Sequence, residues 1–274
     1  MRPPRRSVIA ALFGLTLALS AQARDPKELV IGTSAGPYAD QVRLGIKPIL
    51  ERQGYKVKLV EFNDYIQPNF ALAEGALDAN VFQHIIYLTR FAEQHKLALS
   101  ELVKIPTAPI AIYSHKHKSL DEVRAGTTVA LPNDPTNQAR ALVMLDQLGW
   151  IKLKPGIDPI KASEKDIAAN LRGIKLLPLE AAQLPRALQD ADYAFVNGNF
   201  ALASGLKLRD ALRRETISPS YANLVAVRTA DRDKPFARDI AAAYRSREFL
   251  DVTNRLFADY AKTDYQLALE KSAQ

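Results

Sequence analysis

The stretch Thr128-Val-Ala-Leu-Pro-Asn-Asp-Pro-Thr-Asn-Gln-Ala-Arg140 runs from a short apolar strand straight into the start of a helix. Asp134 is placed to cap that helix, and Pro135 suits its first position because its fixed φ is already helical. Asn137 and Arg140 are three apart, so they share one face just beyond the exposed N–H groups of the first turn. Arginine presents a rigid fork that matches a carboxylate in two hydrogen bonds, so this face reads as a clamp for a small anion. The other reading of Arg140 is a plain ion pair with a carboxylate of the protein surface. Strand–loop–helix anion sites serve enzymes and binding proteins alike, so the stretch speaks to architecture before function.

The same alternation extends outward in both directions. Short apolar runs at 29–32, 56–62, 79–82 and 110–113 read as strands, interleaved with helical sequence at 38–53, 68–74 and 85–94. A second series has strands at 128–131, 175–177 and 192–196 and helices at 136–148, 164–171, 181–188 and 198–204. Ser119-Leu-Asp-Glu122 and Ser163-Glu-Lys-Asp166 are capping boxes that mark helix starts. A last strand at 224–227 precedes helical sequence from Pro235 onward. This is the pattern of an α/β protein with mainly parallel strands. If the chain enters a second lobe after Ser114 and returns near Tyr221, lobe one holds 24–114 plus 222–274, lobe two holds 115–221, and two crossing strands form a hinge.

The 274 residues, 47% hydrophobic and 24% charged, suffice for one large domain or two moderate ones. Arg2, Arg5 and Arg6 precede an uncharged run from Val8 to Leu19 and the small-x-small pattern Ala21-Gln22-Ala23, which predicts a signal peptide over 1–23 cleaved on the general secretory route. Three of the seven net positive charges belong to that leader, leaving a mild +4 on the remainder. Basic residues are interspersed with acids and form no stripe bearing aromatics, so nucleic acid is not an expected partner. No later run approaches the roughly 20 apolar residues needed to span a bilayer. The absence of cysteine excludes disulfides and thiolate chemistry.

No catalytic constellation stands out. The turn Gly32-Thr-Ser-Ala-Gly36 lacks the Lys-Ser/Thr ending of a phosphate loop. His115-Lys-His-Lys118 lacks zinc spacing and convergent carboxylates, and reads as a solvated loop. No metal, cofactor or catalytic residue is expected.

Five ordered blocks carry a family resemblance. They are 62–88, containing Phe62-Asn-Asp-Tyr65 and Asn80-Val-Phe-Gln-His-Ile-Ile-Tyr-Leu88, then Pro132 to Arg140, Leu179 to Arg186, Val196-Asn-Gly-Asn199 and Ser218-Pro-Ser-Tyr-Ala-Asn223. The chain beyond the leader resembles the methionine-binding lipoproteins of NlpA type, the periplasmic substrate-binding proteins of ABC importers. The resemblance implies a type II-like, two-lobed periplasmic binding protein that closes on one amino acid, methionine or a methionine-like apolar one, and presents it to an inner-membrane permease. It implies a non-enzyme acting as a monomer. By motif, Tyr65, Phe82, His84 and Tyr87 match residues around the methionine side chain. Asn137 and Arg140 match the groups on the α-carboxylate, and Asn197 and Asn223 match polar contacts to the amino-acid head. Of the two asparagines that flank Gly198, Asn197 is preferred as the contact, and Asn199 is open to a structural role in the turn.

Physical chemistry fits that allocation. A buried zwitterion needs a cation and amide donors for its carboxylate and acceptors for its ammonium, and aromatic rings suit a thioether. Taken without the family, Tyr65, Phe82 and Tyr87 read equally as core, His84 as a satisfied core histidine, and Asn223 as a hinge-turn residue. The chain departs from the family in two places. It has no cysteine at the cleavage site, which predicts an unanchored periplasmic product, and Tyr38 and the loop 105–109 differ near the pocket. The alternative function is a periplasmic amino-acid lyase or dehydratase using His84 as acid or base.

Overall fold

The computed structural model describes residue 25 and residues 27–272, so the expected leader lies outside the described residues. Two five-stranded sheets organise the chain. The first has the order β2-β1-β3-β12-β4, made of β1 (Glu28–Ser34), β2 (Lys56–Phe62), β3 (Ala79–His84), β4 (Leu99–Lys104) and β12 (Asn223–Arg228). The second has the order β11-β5-β10-β6-β9, made of β5 (Ala111–Tyr113), β6 (Thr128–Pro132), β9 (Lys175–Leu179), β10 (Tyr193–Val196) and β11 (Arg213–Arg214). β1 is parallel to β2 and β3, and β6 is parallel to β9 and β10, while β12 and β5 run antiparallel in their sheets. A small hairpin pairs β7 (Lys152–Leu153) with β8 (Ile167–Ala169).

The chain leaves the first sheet after β4 and returns to it as β12, crossing twice. The crossings are tied together: Ile105 N–H donates to Asn223 O at 2.8 Å, Asn223 N–H to Thr107 Oγ1 at 2.7 Å, and Glu215 N–H to Ile110 O at 3.0 Å. Because β5 already pairs in the second sheet, the outward crossing is made by residues 105–110, ahead of the expected 114/115 boundary.

Helices α1 (Pro37–Asp40) and α2 (Lys47–Arg52) flank a π-helical turn, Gln41–Ile46. Pro48 has no N–H to give to Leu44, and the ladder widens just before it, with Lys47 N–H donating to Val42 O. The expected helix at 38–53 is therefore real but interrupted. Further along come α3 (Gln67–Ala73), α4 (Ile85–His95), α5 (Pro135–Gln147), α6 (Leu184–Ala187), α7 (Gly198–Ala203), α8 (Pro235–Tyr244), α9 (Arg247–Leu256) and α10 (Asp264–Lys271). Leu29, Ile31, Ile46, Leu50, Val225, Tyr244 and Phe249 pack one core, and Val129, Leu131, Leu142, Leu145, Trp150 and Phe195 pack another. Each such side chain contributes roughly 1.5–3 kcal/mol of transfer free energy, which fixes both sheets as rigid platforms.

Three readings of the sequence need correction. The helix expected at 164–171 is a single 3-10 turn, Glu164–Asp166, followed by β8. Its capping box forms, but Ile167 pairs with Leu153 across the hairpin, and Leu171 stays exposed instead of completing a buried helical stripe. The other capping box likewise closes one 3-10 turn, Leu120–Glu122. His117, expected in a solvated loop, stacks on Tyr193 at 5.0 Å and lies between Glu122 (3.0 Å from Nδ1) and Asp192 (3.4 Å from Nε2). It locks the turn to β10.

Candidate functional site

The start of α5 is built as its sequence suggests. Asp134 accepts the Asn137 N–H at 3.0 Å, and the Asn137 amide donates back to both Asp134 oxygens, at 3.1 and 2.9 Å. One turn on, an η-nitrogen of Arg140 donates to Asn137 Oδ1 at 2.8 Å. The rest of the guanidinium is not free. Its Nε donates to Glu215 Oε1 at 3.0 Å, its other η-nitrogen to Glu215 Oε2, and its plane lies 4.8 Å over the Tyr221 ring. The pair is buried, with side chains only 5% and 10% exposed. Burial opposes the Arg140 charge, but the attraction and hydrogen bonds of Glu215 outweigh it and hold its pKa above the ordinary value. Both sequence readings of Arg140 thus meet in one side chain, and Glu215 is a site residue that no motif announced.

Two polar atoms in this cluster have no partner. Asn137 donates to Asp134 and accepts from Arg140, which fixes its flip, so Asn197 must give its Nδ2–H to Asn137 Oδ1 at 3.0 Å. That leaves Asn197 Oδ1 buried and unmatched. His84 caps α4 by accepting the Tyr87 N–H on Nδ1 at 3.2 Å, so the neutral ring carries its hydrogen on Nε2, also buried and unmatched. Desolvation first, and the nearby Arg140 charge second, push the His84 pKa well below its ordinary value and keep the ring neutral. The site therefore offers one spare donor and one spare acceptor, an uncommon state for buried groups.

An aromatic wall closes the other side. Tyr65 stacks on Phe82 with ring centroids 5.7 Å apart and meets Tyr87 edge-on at 6.0 Å and Phe200 at 5.0 Å. Tyr87 donates its hydroxyl to Tyr65 O at 2.9 Å, and Tyr65 donates its own to Asn199 Oδ1 at 2.7 Å. Asn199, on α7 of the second lobe, also donates to Ser34 Oγ at 3.2 Å, so it fastens the lobes together. Glycine is required at two contacts here. A Cβ on Gly198 would lie 2.5 Å from Ala108 Cβ and 2.7 Å from Pro109 O. Gly36, with φ +89, brings the first lobe against Ala203.

Tyr65, Phe82, His84, Tyr87, Asn137, Arg140, Asn197 and Asn223 all line one chamber of about 20 Å³ between the sheets. Asn223 contributes as a strut, donating to Phe82 O at 3.0 Å. Tyr38, a departure from the family pattern, lines it too, with Gln83, Thr107 and Asn199, to which no motif assigns a ligand contact. Gln83 gave no signal because it belongs to a buried amide cluster with Asn69 and Asn80. Tyr65 and Tyr87 also border a second chamber of about 290 Å³, lined as well by Asp64, Arg90 and Glu180. Among the described residues, no group of three His, Cys, Asp or Glu side chains is placed to hold a metal ion.

The sequence model of the NlpA lipoprotein family matches residues 29–264. The chain belongs to the NlpA lipoprotein family. Within it, the D-methionine-binding lipoprotein MetQ of Salmonella typhi is 38% identical over 256 residues, covering 92% of this chain and 94% of that protein. A nutrient-binding protein from Burkholderia cenocepacia, solved bound to methionine, superposes with a TM-score of 0.81 at 40% identity over 86% of this chain and 99% of that one. An ABC transporter periplasmic substrate-binding protein from Coxiella burnetii gives 0.80 at 37% identity, over 86% and 100% of the two chains. The two sheets are therefore the lobes of an NlpA-type periplasmic binding protein, with the cleft between them and the paired crossings as its hinge. These relatives are substrate-binding transport proteins, and nothing among them supports the lyase alternative.

Family membership corrects the expected localisation. The missing cysteine was read as an unanchored product, yet the family and its MetQ members are lipoproteins by name. The absence of one residue type does not decide anchoring, and the expected leader lies outside the described residues.

Proposed function

We propose that this chain captures methionine, or an apolar amino acid of similar shape, between its lobes and delivers it intact to an ABC permease. The observation that carries the reading is the pair of unmatched atoms, His84 Nε2 and Asn197 Oδ1, on one buried chamber. An α-carboxylate accepts from His84 and from the guanidinium hydrogens that Glu215 leaves over. An α-ammonium donates to Asn197 Oδ1. Tyr65, Phe82 and Tyr87 then surround the side chain, where sulfur–aromatic contacts are worth about 0.3–1.5 kcal/mol each. Names of relatives that bind methionine support the same ligand class.

A chamber of about 20 Å³ holds a water but no amino acid, so loading needs the lobes to part. One lobe, residues up to the outward crossing plus 222–274, supplies Tyr65, Phe82, His84 and Tyr87; the other supplies Asn137, Arg140 and Asn197. A ligand that touches both stabilises closure by its differential affinity for the closed state. Calorimetric titration of the chain, first freed of bound ligand by unfolding and refolding, with L-methionine, D-methionine and alanine tests this. Saturation at one equivalent, with Tyr87→Ala weakening methionine more than alanine, is expected. Equal losses for the two amino acids would contradict the aromatic wall, and no heat with any amino acid would contradict the reading.

A further inference from the structure

Glu215 does not line the chamber, yet it is buried and spends both oxygens on Arg140. Its backbone N–H is fixed on Ile110 O of the opposite crossing, so the carboxylate is held in place independently of any ligand. The ionisable groups at the chamber then sum to one net negative charge. Arg140 is the cation, Glu215 its compensating anion, Asp134 an anion committed to the α5 cap and the Asn137 amide, and His84 a neutral ring. A bare buried guanidinium would attract any carboxylate, because an unpaired charge in a low-dielectric site is costly. With Glu215 in place, Arg140 offers oriented N–H groups without a net positive charge.

We propose that Glu215 is a specificity-determining positioning residue: by neutralising Arg140 it makes the chamber select net-neutral zwitterionic amino acids over anions of the same shape that lack the ammonium. The inference rests on the amino-acid reading above. A zwitterion brings both signs and finds a partner for each, the carboxylate on His84 and Arg140 and the ammonium on Asn197. An anion of equal size adds unopposed negative charge beside Glu215 and Asp134 and leaves Asn197 Oδ1 unmatched. Glu215 also clamps the Nε edge of Arg140, so that the remaining hydrogens keep one direction.

The test titrates the full chain and Glu215→Gln, each freed of bound ligand by unfolding and refolding, with three ligands: methionine, methionine amide, which keeps the ammonium without a carboxylate, and desaminomethionine, which keeps the carboxylate without an ammonium. Glutamine preserves the shape and one acceptor for Arg140 while removing the charge. In the unsubstituted chain the amide is expected to bind ahead of the desamino acid. Glu215→Gln is expected to shift the ratio of the two affinities toward the acid by about tenfold or more, as follows from removing one nearby buried charge. A purely structural role would weaken all three ligands together, and an unchanged ratio overturns the proposal. If Glu215→Gln does not fold, Glu215→Asp, which keeps the charge, is expected to retain the original order, and a reversed order in it or in the unsubstituted chain overturns the proposal. Methionine binding with an unchanged ratio leaves the amino-acid reading standing, whereas a chain that binds none of the three overturns both.

Discussion

The phenol of Tyr65 donates to the carboxamide oxygen of Asn199 at 2.7 Å, and this bond joins the first lobe to the second at the wall between the two chambers. Tyr65 is buried, and desolvation holds its hydroxyl well above the ordinary tyrosine pKa, so it remains a donor at every working pH. Tyr65→Phe keeps the ring stacked on Phe82 and removes only the latch. A neutral hydrogen bond contributes about 0.5–1.5 kcal/mol, so the variant should release methionine roughly twofold to tenfold faster. Stopped-flow dissociation measures this; an unchanged off-rate would show that the latch does not hold the closed form.

Arg140 and Glu215 form a buried pair, and removing one partner strands the other. Arg140→Ala should abolish methionine binding and also destabilise the fold by about 3–5 kcal/mol. The double variant Arg140→Met with Glu215→Leu should recover most of that stability, since apolar replacements of buried pairs are often neutral, yet remain unable to bind. Thermal unfolding beside calorimetry separates the two effects. A double variant that binds methionine normally would remove Arg140 from the site.

His84 is a pH probe with a defined sign. Its folded pKa is depressed, while the unfolded chain takes up a proton near the ordinary value of about 6.5. Below that pH the unfolded state binds more protons, so the contribution of His84 is complete above it and is lost as pH falls toward the folded pKa. The difference in Tm between pH 7 and pH 5 should therefore shrink in His84→Gln. An identical pH dependence in both chains would mean that the folded ring takes up its proton as readily as the unfolded one, contradicting the depressed pKa.

Gly198 sits where α7 meets the outward crossing. A methyl group there would press on Ala108 Cβ at 2.5 Å and Pro109 O at 2.7 Å, and backbone cannot step aside cheaply. Gly198→Ala should cost about 1–3 kcal/mol and lower the Tm measurably. A fully stable variant would mean that the crossing is free to move.

The α/β architecture was legible because the information was local. Asp134, Pro135 and Asn137 specify the start of α5 within four positions of one another, and four of the five motifs send aromatic or amide residues to a single chamber. The misreadings concern groups whose meaning is set at a distance. Glu215 is 75 residues from Arg140, in an unremarkable loop, and no periodicity marks it as a partner. Ile167 and Leu171 have helical spacing, but cross-strand pairing with Leu153 decides the conformation of the first and nothing buries the second. β4 passed unnoticed because an edge strand with mostly half-buried residues lacks clean alternation. His117 looked solvated until folding brought Asp192 beside it from 75 residues away.

The central claim is that the unmatched His84 and Asn197 atoms mark the seat of an amino-acid head. Native mass spectrometry of the chain purified without refolding, followed by release and identification of any bound molecule, tests it most directly. The account predicts a single methionine-like amino acid retained without chemical change, and its loss in an Asn197→Leu variant. A chain that carries no small molecule and takes up none when methionine is added would contradict it.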